Sequence, residues 1–160
     1  VKEERGEKIE RKAECAADLA ISANIPESYV PSSSQRMDLY RRIALINSEE
    51  DADDMIDELI DRFGDPPSCV NALVSVALLR SDAGRAGITD ISQKTGKLFM
   101  KMNDFSMDRL TLILGMPEYR GRIQVVPGAV PCISLKLAPK IHTLDQARRF
   151  VRDWTAVQKT

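Results

Sequence analysis

Eight carboxylates fall within thirteen residues of this chain, Glu49 to Asp61, with no lysine or arginine among them. Acids at that density could do general acid–base work, hold a divalent cation, or dock onto a basic surface. On a helix of about 3.6 residues per turn, Asp54, Asp57, Glu58 and Asp61 share one side. Met55, Ile56, Leu59, Ile60 and Phe63 share the other. Acid–base catalysis and metal binding need a cleft that perturbs the carboxyl groups, and a focus shared with other polar groups. A row along one exposed helix provides neither. Like charges at i,i+4 weaken an isolated helix by a few tenths of a kcal/mol per pair. The apolar side must therefore hold this helix, which leaves the acids free for a basic partner. The plain alternative is a solvated face, since exposed ion pairs contribute only about 0–1 kcal/mol each. Arg62, next in the chain, suits either a local pair with Glu58 four residues back or a partner contact.

The other reactive side chains point to no catalysis. His142 is the one histidine and precedes a helix start, a surface position. Cys15, Cys69 and Cys132 are odd in number and widely spaced, which argues against a disulfide framework or zinc site and fits a reducing cytoplasm. Cys69 and Cys132 sit in apolar runs, as small core residues do. No phosphate-binding loop sequence occurs, and Gly84-Arg85-Ala86-Gly87 reads as a helix end, so no ATP binding or hydrolysis is expected of this segment. Arg148, Arg149 and Arg152 share one side of the last helix, with Arg120 and Arg122 nearby in sequence. An accessory nucleic-acid-binding module built on those arginines is the alternative reading. A formal net charge of −1 means any such role needs a local patch.

The elements that position these groups follow from punctuation and period. The 160 residues suit one domain burying about 70% of its unfolded surface. Residues 1–14, charged and poor in apolar side chains, read as a flexible linker or tail before a domain at 15–160. Because the sequence opens on Val1, it reads as part of a longer chain. Residues 19–25 alternate as a strand does. Three helices follow. The first runs from a Ser32-Ser33-Ser34 cap to about Ile46, with Leu39, Tyr40, Ile43 and Ile46 inward and Arg41 and Arg42 outward. The acidic helix starts at a Ser48/Asp51 capping box and stops at Gly64. The third, from Ser68 to about Ala83, is almost wholly apolar. Beyond Gly87 the period becomes two: a hairpin turning at Lys94-Thr95-Gly96, a short helix capped by Ser106, and strands at 122–126 and 132–137. A final helix after a Thr143/Gln146 capping box turns Leu144, Ala147, Phe150, Val151 and Trp154 inward. The expected fold is α+β: a helical subdomain of about three helices, then a small, mainly antiparallel sheet with packed helices, which the N-terminal strand joins. No apolar run reaches the roughly 18 residues a membrane span needs.

Three motifs carry a family likeness: Ile25-Pro26-Glu27-Ser28-Tyr29-Val30-Pro31, the run from Gln35 to Ala44, and Glu58-Leu59-Ile60-Asp61-Arg62-Phe63-Gly64 with Pro67 beyond. Their order and spacing over about residues 24–67 resemble the C-terminal domain of bacterial transcription-repair coupling factors. The resemblance implies a cytoplasmic parent that is an ATP-dependent translocase on double-stranded DNA. That parent displaces stalled RNA polymerase and recruits UvrA, with ATP and magnesium in motor domains outside this segment. It also implies that this domain is non-catalytic and cofactor-free, packs on the parent's N-terminal UvrB-like module, and masks the UvrA-binding surface. Glu58 and Asp61 match the family's contact acids; Asp54, Asp57 and Arg62 extend that set by helical geometry.

Overall fold

A computed structural model describes residues 15–103 and 105–158, so the expected tail at residues 1–14 lies outside the described residues. The chain divides into a helical unit, residues 21–81, and a sheet unit formed by the residues before 21 and after 81.

The helical unit contains α1 (Ser33–Ala44), α2 (Glu49–Phe63) and most of α3 (Ser68–Arg85). Each of the first two starts where a serine accepts a backbone N–H from three residues on. Ser32 Oγ takes Gln35 N at 3.3 Å and Ser48 Oγ takes Asp51 N at 3.1 Å. Asp51 Oδ2 in turn accepts Asn47 N at 3.3 Å, one residue before the cap, which ties the connector to the first turn of the helix. The core unites Leu39, Ile43 and Ile46 with Met55, Leu59, Val70, Val74 and Leu78, sealed by Ile25 and Val30 from the preceding connector. Tyr40 departs from the expected inward set: it is 37% exposed, and its hydroxyl accepts Ile25 N at 2.8 Å.

Residues 19–25 are not a strand. Asn24 N donates to Cys69 O at 3.1 Å and Ile25 N to Tyr40 Oη, so side-chain and helix acceptors take the donors that a sheet ladder would need. The N-terminal strand is instead β1, Ala16–Asp18.

In the sheet unit, β2 (Ile88–Lys94) and β3 (Lys97–Met102) form the expected hairpin. Its two-residue turn holds Thr95 at φ 47° and Gly96 at φ 75°, the left-handed pair that matches strand twist. With β4 (Ile123–Val126) and β5 (Cys132–Lys136), the sheet order is β1-β2-β3-β5-β4. Only β1 pairs in parallel, so the sheet is mainly antiparallel, as expected. Helix α4 (Met107–Leu114), a 3-10 turn (Pro117–Tyr119) and α5 (Thr143–Gln158) complete the α+β arrangement. Along α5 the inward face is the expected one, with Phe150 and Trp154 fully buried. Its cap differs: His142 Nδ1, not Thr143, accepts Leu144 N at 3.2 Å. Gln146 reaches back to Ile141 O at 2.7 Å.

Gly64 ends α2 at φ 86°, ψ −171°, a region that side chains with a Cβ avoid. No heavy atom lies within 4 Å of where its Cβ would sit, so a substitution there meets strain and no clash. Gly64→Ala should cost about 1–2 kcal/mol, read as a lower urea midpoint with unchanged far-ultraviolet circular dichroism.

Candidate docking site

The acidic helix lies in the helical unit with Met55 and Leu59 buried beneath it and Ile56 and Phe63 half-buried. Ile60, expected inward, is 41% exposed at the margin of the acid row. Asp54, Asp57 and Asp61 are all exposed. Among the described residues none of these three has a hydrogen-bond or ion-pair partner. Geometry therefore gives the helix three outward charges along about two turns, within reach of a basic surface.

Glu58 behaves differently. Its side chain is 33% exposed and faces α1, where Arg42 grips both carboxylate oxygens, Nη1 to Oε2 at 2.7 Å and Nη2 to Oε1 at 2.5 Å. Arg62 adds a third bond to Oε2 at 3.0 Å, the i,i+4 pair the spacing allowed. These bonds hold the Glu58 carboxyl well below the usual carboxylate range, at about 2. The hydrogen bond from Arg42 is the largest cause, ahead of the opposing effect of burial and the weaker bond from Arg62. Arg42, expected on the exposed side of α1, is instead the clamp that joins α1 to α2. Arg62 also lies over the Phe63 ring, 5.0 Å from its centroid.

The motif residues before α1 hold the other end of the same helix. Tyr29 Oη donates to Gly64 O at 2.7 Å, with Leu59 O sharing the proton at 3.2 Å, and its ring packs 5.7 Å from Phe63. Arg36 ties Val30 O at 2.7 Å and Pro31 O at 3.0 Å, which pins the connector to α1. The helix that displays the acids is thus braced at its last turn by Tyr29 and along its flank by Arg42. Sequence periodicity missed both braces. The signal was there, since Tyr29, Arg36, Arg42 and Glu58 all lie inside the three motifs.

The arginines of the alternative reading separate in the same way. Arg122 is half-buried and spends its guanidinium on Lys136 O (2.9 Å), Glu118 O (2.8 Å) and Gln146 Oε1 (2.7 Å). Arg149 pairs with Glu118 at 2.6 Å. Both do structural work, which breaks up the patch; Arg120 and Arg152 are exposed. No group of three or more His, Cys, Asp or Glu side chains among the described residues is placed to hold a metal ion. No helix there is long and apolar enough to cross a membrane.

Comparison with known proteins reaches the same segment. A family model described as the TRCF domain matches residues 19–110. The transcription-repair-coupling factor of Mycobacterium tuberculosis (strain CDC 1551 / Oshkosh) is 31% identical over 132 residues, covering 80% of this chain and 11% of its own length. That of Bacillus subtilis (strain 168) is 34% identical over 80 residues, 50% of this chain and 7% of its own. The chain thus spans about a tenth of the curated relatives it matches. A crystal structure of the C-terminal domain of transcription-repair coupling factor has the same fold. Its TM-score is 0.77 at 17% identity, over 93% of this chain and 98% of that one.

Proposed function

This chain belongs to the TRCF domain family, as a C-terminal domain of transcription-repair coupling factor, and from that premise we propose that it is a non-catalytic regulatory module. In this reading the parent is an ATP-driven translocase on double-stranded DNA that displaces stalled RNA polymerase and recruits UvrA for excision repair. The domain packs on the parent's N-terminal UvrB-like module and covers the UvrA-binding surface until the motor engages. The observation that carries the proposal is the row of outward, unpartnered carboxylates, Asp54, Asp57 and Asp61, on a helix braced from both sides. Arg62 stands at the edge of that row. Glu58, a contact acid by family likeness, serves here as the brace that fixes the row's direction.

Masking needs little intrinsic affinity. A covalently tethered partner sees the domain at an effective concentration of about a millimolar with a short flexible linker. An interdomain interface of roughly 600–1,500 Å² suffices to stay closed under those conditions. Charge complementarity then sets register and partner choice more than affinity. Release follows when a competing state, the motor engaged with polymerase and DNA, binds better.

Calorimetric mixing of this chain with the UvrB-like module of the same protein tests the reading. Asp57→Lys with Asp61→Lys should weaken binding about 10-fold, steepest at low salt, with the circular dichroism spectrum unchanged. Equal binding by the double variant would reduce the row to a solvated face. Glu58 is left intact in this test, because its loss disturbs the fold.

A further inference from the structure

A cleft of about 680 Å³ opens in the sheet unit, lined by α5, the 3-10 turn and the strand residue Leu135. Four arginines and three carboxylates line it, and their pairing decides what it can hold. Arg149 is closed on Glu118 at 2.6 Å, and Asp153 accepts the Tyr119 hydroxyl at 2.5 Å. Arg122 is fixed in the wall by two backbone carbonyls and the Gln146 amide oxygen, all neutral acceptors, so its charge is held in place and not cancelled. Arg152 is exposed and has no partner among the described residues, while Asp145 opposes it on the same helix. By formal count the four arginines exceed the three carboxylates by one positive charge, enough for one anionic group and too small for a chain of phosphates.

Two more features narrow the occupant. The lining is partly apolar, with Leu135 in the floor and Ile141 54% exposed at the rim. The one aromatic residue in the lining, Tyr119, is 2% exposed and packs edge-on against Phe150 at 5.8 Å, so it offers no face on which a base could stack. We propose that this cleft is a docking pocket for an acidic protein segment, seating one carboxylate between Arg122 and Arg152 and an adjacent apolar side chain over Ile141. Arg152 supplies the free fork that a carboxylate matches, and the pre-bonded Arg122 supplies a charge that needs no reordering on binding. The pocket lies outside the helical unit, so this assignment is independent of the masking role of the acidic row.

Amide chemical-shift titration of the chain with an end-blocked Leu-Glu-Leu peptide tests it. Saturable shifts are expected at Ile141, Gln146 and Arg152, including the Gln146 side-chain amide. Arg152→Glu and Arg152→Gln should each weaken the apparent affinity, the charge reversal by about 10-fold. Arg120→Glu, exposed and outside the lining, should leave it unchanged. Leu-Gln-Leu should bind more weakly than Leu-Glu-Leu. Absence of saturable shifts, equal binding of the two peptides, or indifference to both Arg152 variants overturns the proposal. So does a short DNA duplex that perturbs the same amides while the peptide does not, which would assign the cleft to phosphate.

Discussion

Trp154→Ala lowers the stability of the sheet unit by about 3–5 kcal/mol, the cost of truncating a fully buried aromatic to a methyl group. Trp154 is 0% exposed, stacks on Phe150 at 5.8 Å and 17°, and lies under the guanidinium of Arg109, 5.7 Å from the ring. Removing the indole forfeits its transfer free energy and opens a cavity beneath α4 and α5. The aromatic pair and the cation–π contact are lost with it. Against a typical domain stability of about 5–15 kcal/mol, the loss is large enough to populate the unfolded form in mild urea. Trp154→Phe should cost less. It keeps the stack on Phe150 and removes the indole Nε1, which is buried without a hydrogen-bond partner among the described residues and so has nothing to offset its desolvation. Urea unfolding followed by circular dichroism ranks the three proteins. The one tryptophan also reports on this unit by its own fluorescence in the wild type. A Trp154→Ala midpoint equal to wild type would mean that the α4–α5 layer is not the core the burial indicates.

What could be read from sequence and what could not divides along the reach of the interactions. Caps, stops and turns act within a few residues, so Ser32, Ser48, Ser106, Gly64 and the Thr95-Gly96 turn were all legible. The inward face of α5 was legible for the same reason, because one helix period determines it. Residues 19–25 alternate like a strand, yet Tyr40 and the Cys69 carbonyl capture their backbone donors, and no local pattern carries that information. Ile60 falls on the apolar half of the helix by period alone, yet the helix buries only a narrower stripe centred on Met55 and Leu59. Arg122 looked like part of a basic patch. Its carbonyl partners come from elements that only the folded chain brings to it. The acid row itself was legible as three exposed aspartates. The fourth acid, Glu58, was not, since its partner Arg42 is sixteen residues away on another helix.

That fourth acid supports the second large effect. Arg42→Ala should lower the stability of the helical unit by about 2–3 kcal/mol, because two charge-assisted hydrogen bonds vanish and a half-buried carboxylate keeps only Arg62. Arg62→Ala should cost far less, about 0.3–0.5 kcal/mol, as for an exposed i,i+4 pair. The pH dependence has a definite sign. Folding lowers the Glu58 carboxyl from 4.5 to about 2, so the folded chain resists its protonation. The stabilisation is complete above the unfolded value and drains away as pH falls from about 4.5 through about 2. Taken whole, a shift of that size corresponds to about 3 kcal/mol. Since a third of the side chain meets solvent, about 1–2 kcal/mol is the realistic share after screening. Glu58→Gln should therefore be less stable than wild type by that amount at pH 7, and the gap should narrow below about pH 4.5 and close only as pH falls through about 2. A double-mutant cycle of Arg42→Met with Glu58→Gln should return a coupling of about 1–2 kcal/mol at neutral pH and little in acid. A gap that persists unchanged at low pH would mean that Glu58 acts through packing and not through its charge. The same measurement separates two ways in which a change in the Glu58-to-Gly64 motif impairs a regulatory domain. Loss of Asp57 or Asp61 leaves folding intact and removes charge from the docking face. Loss of Glu58 or Arg42 loosens α1 from α2 and tilts the whole row.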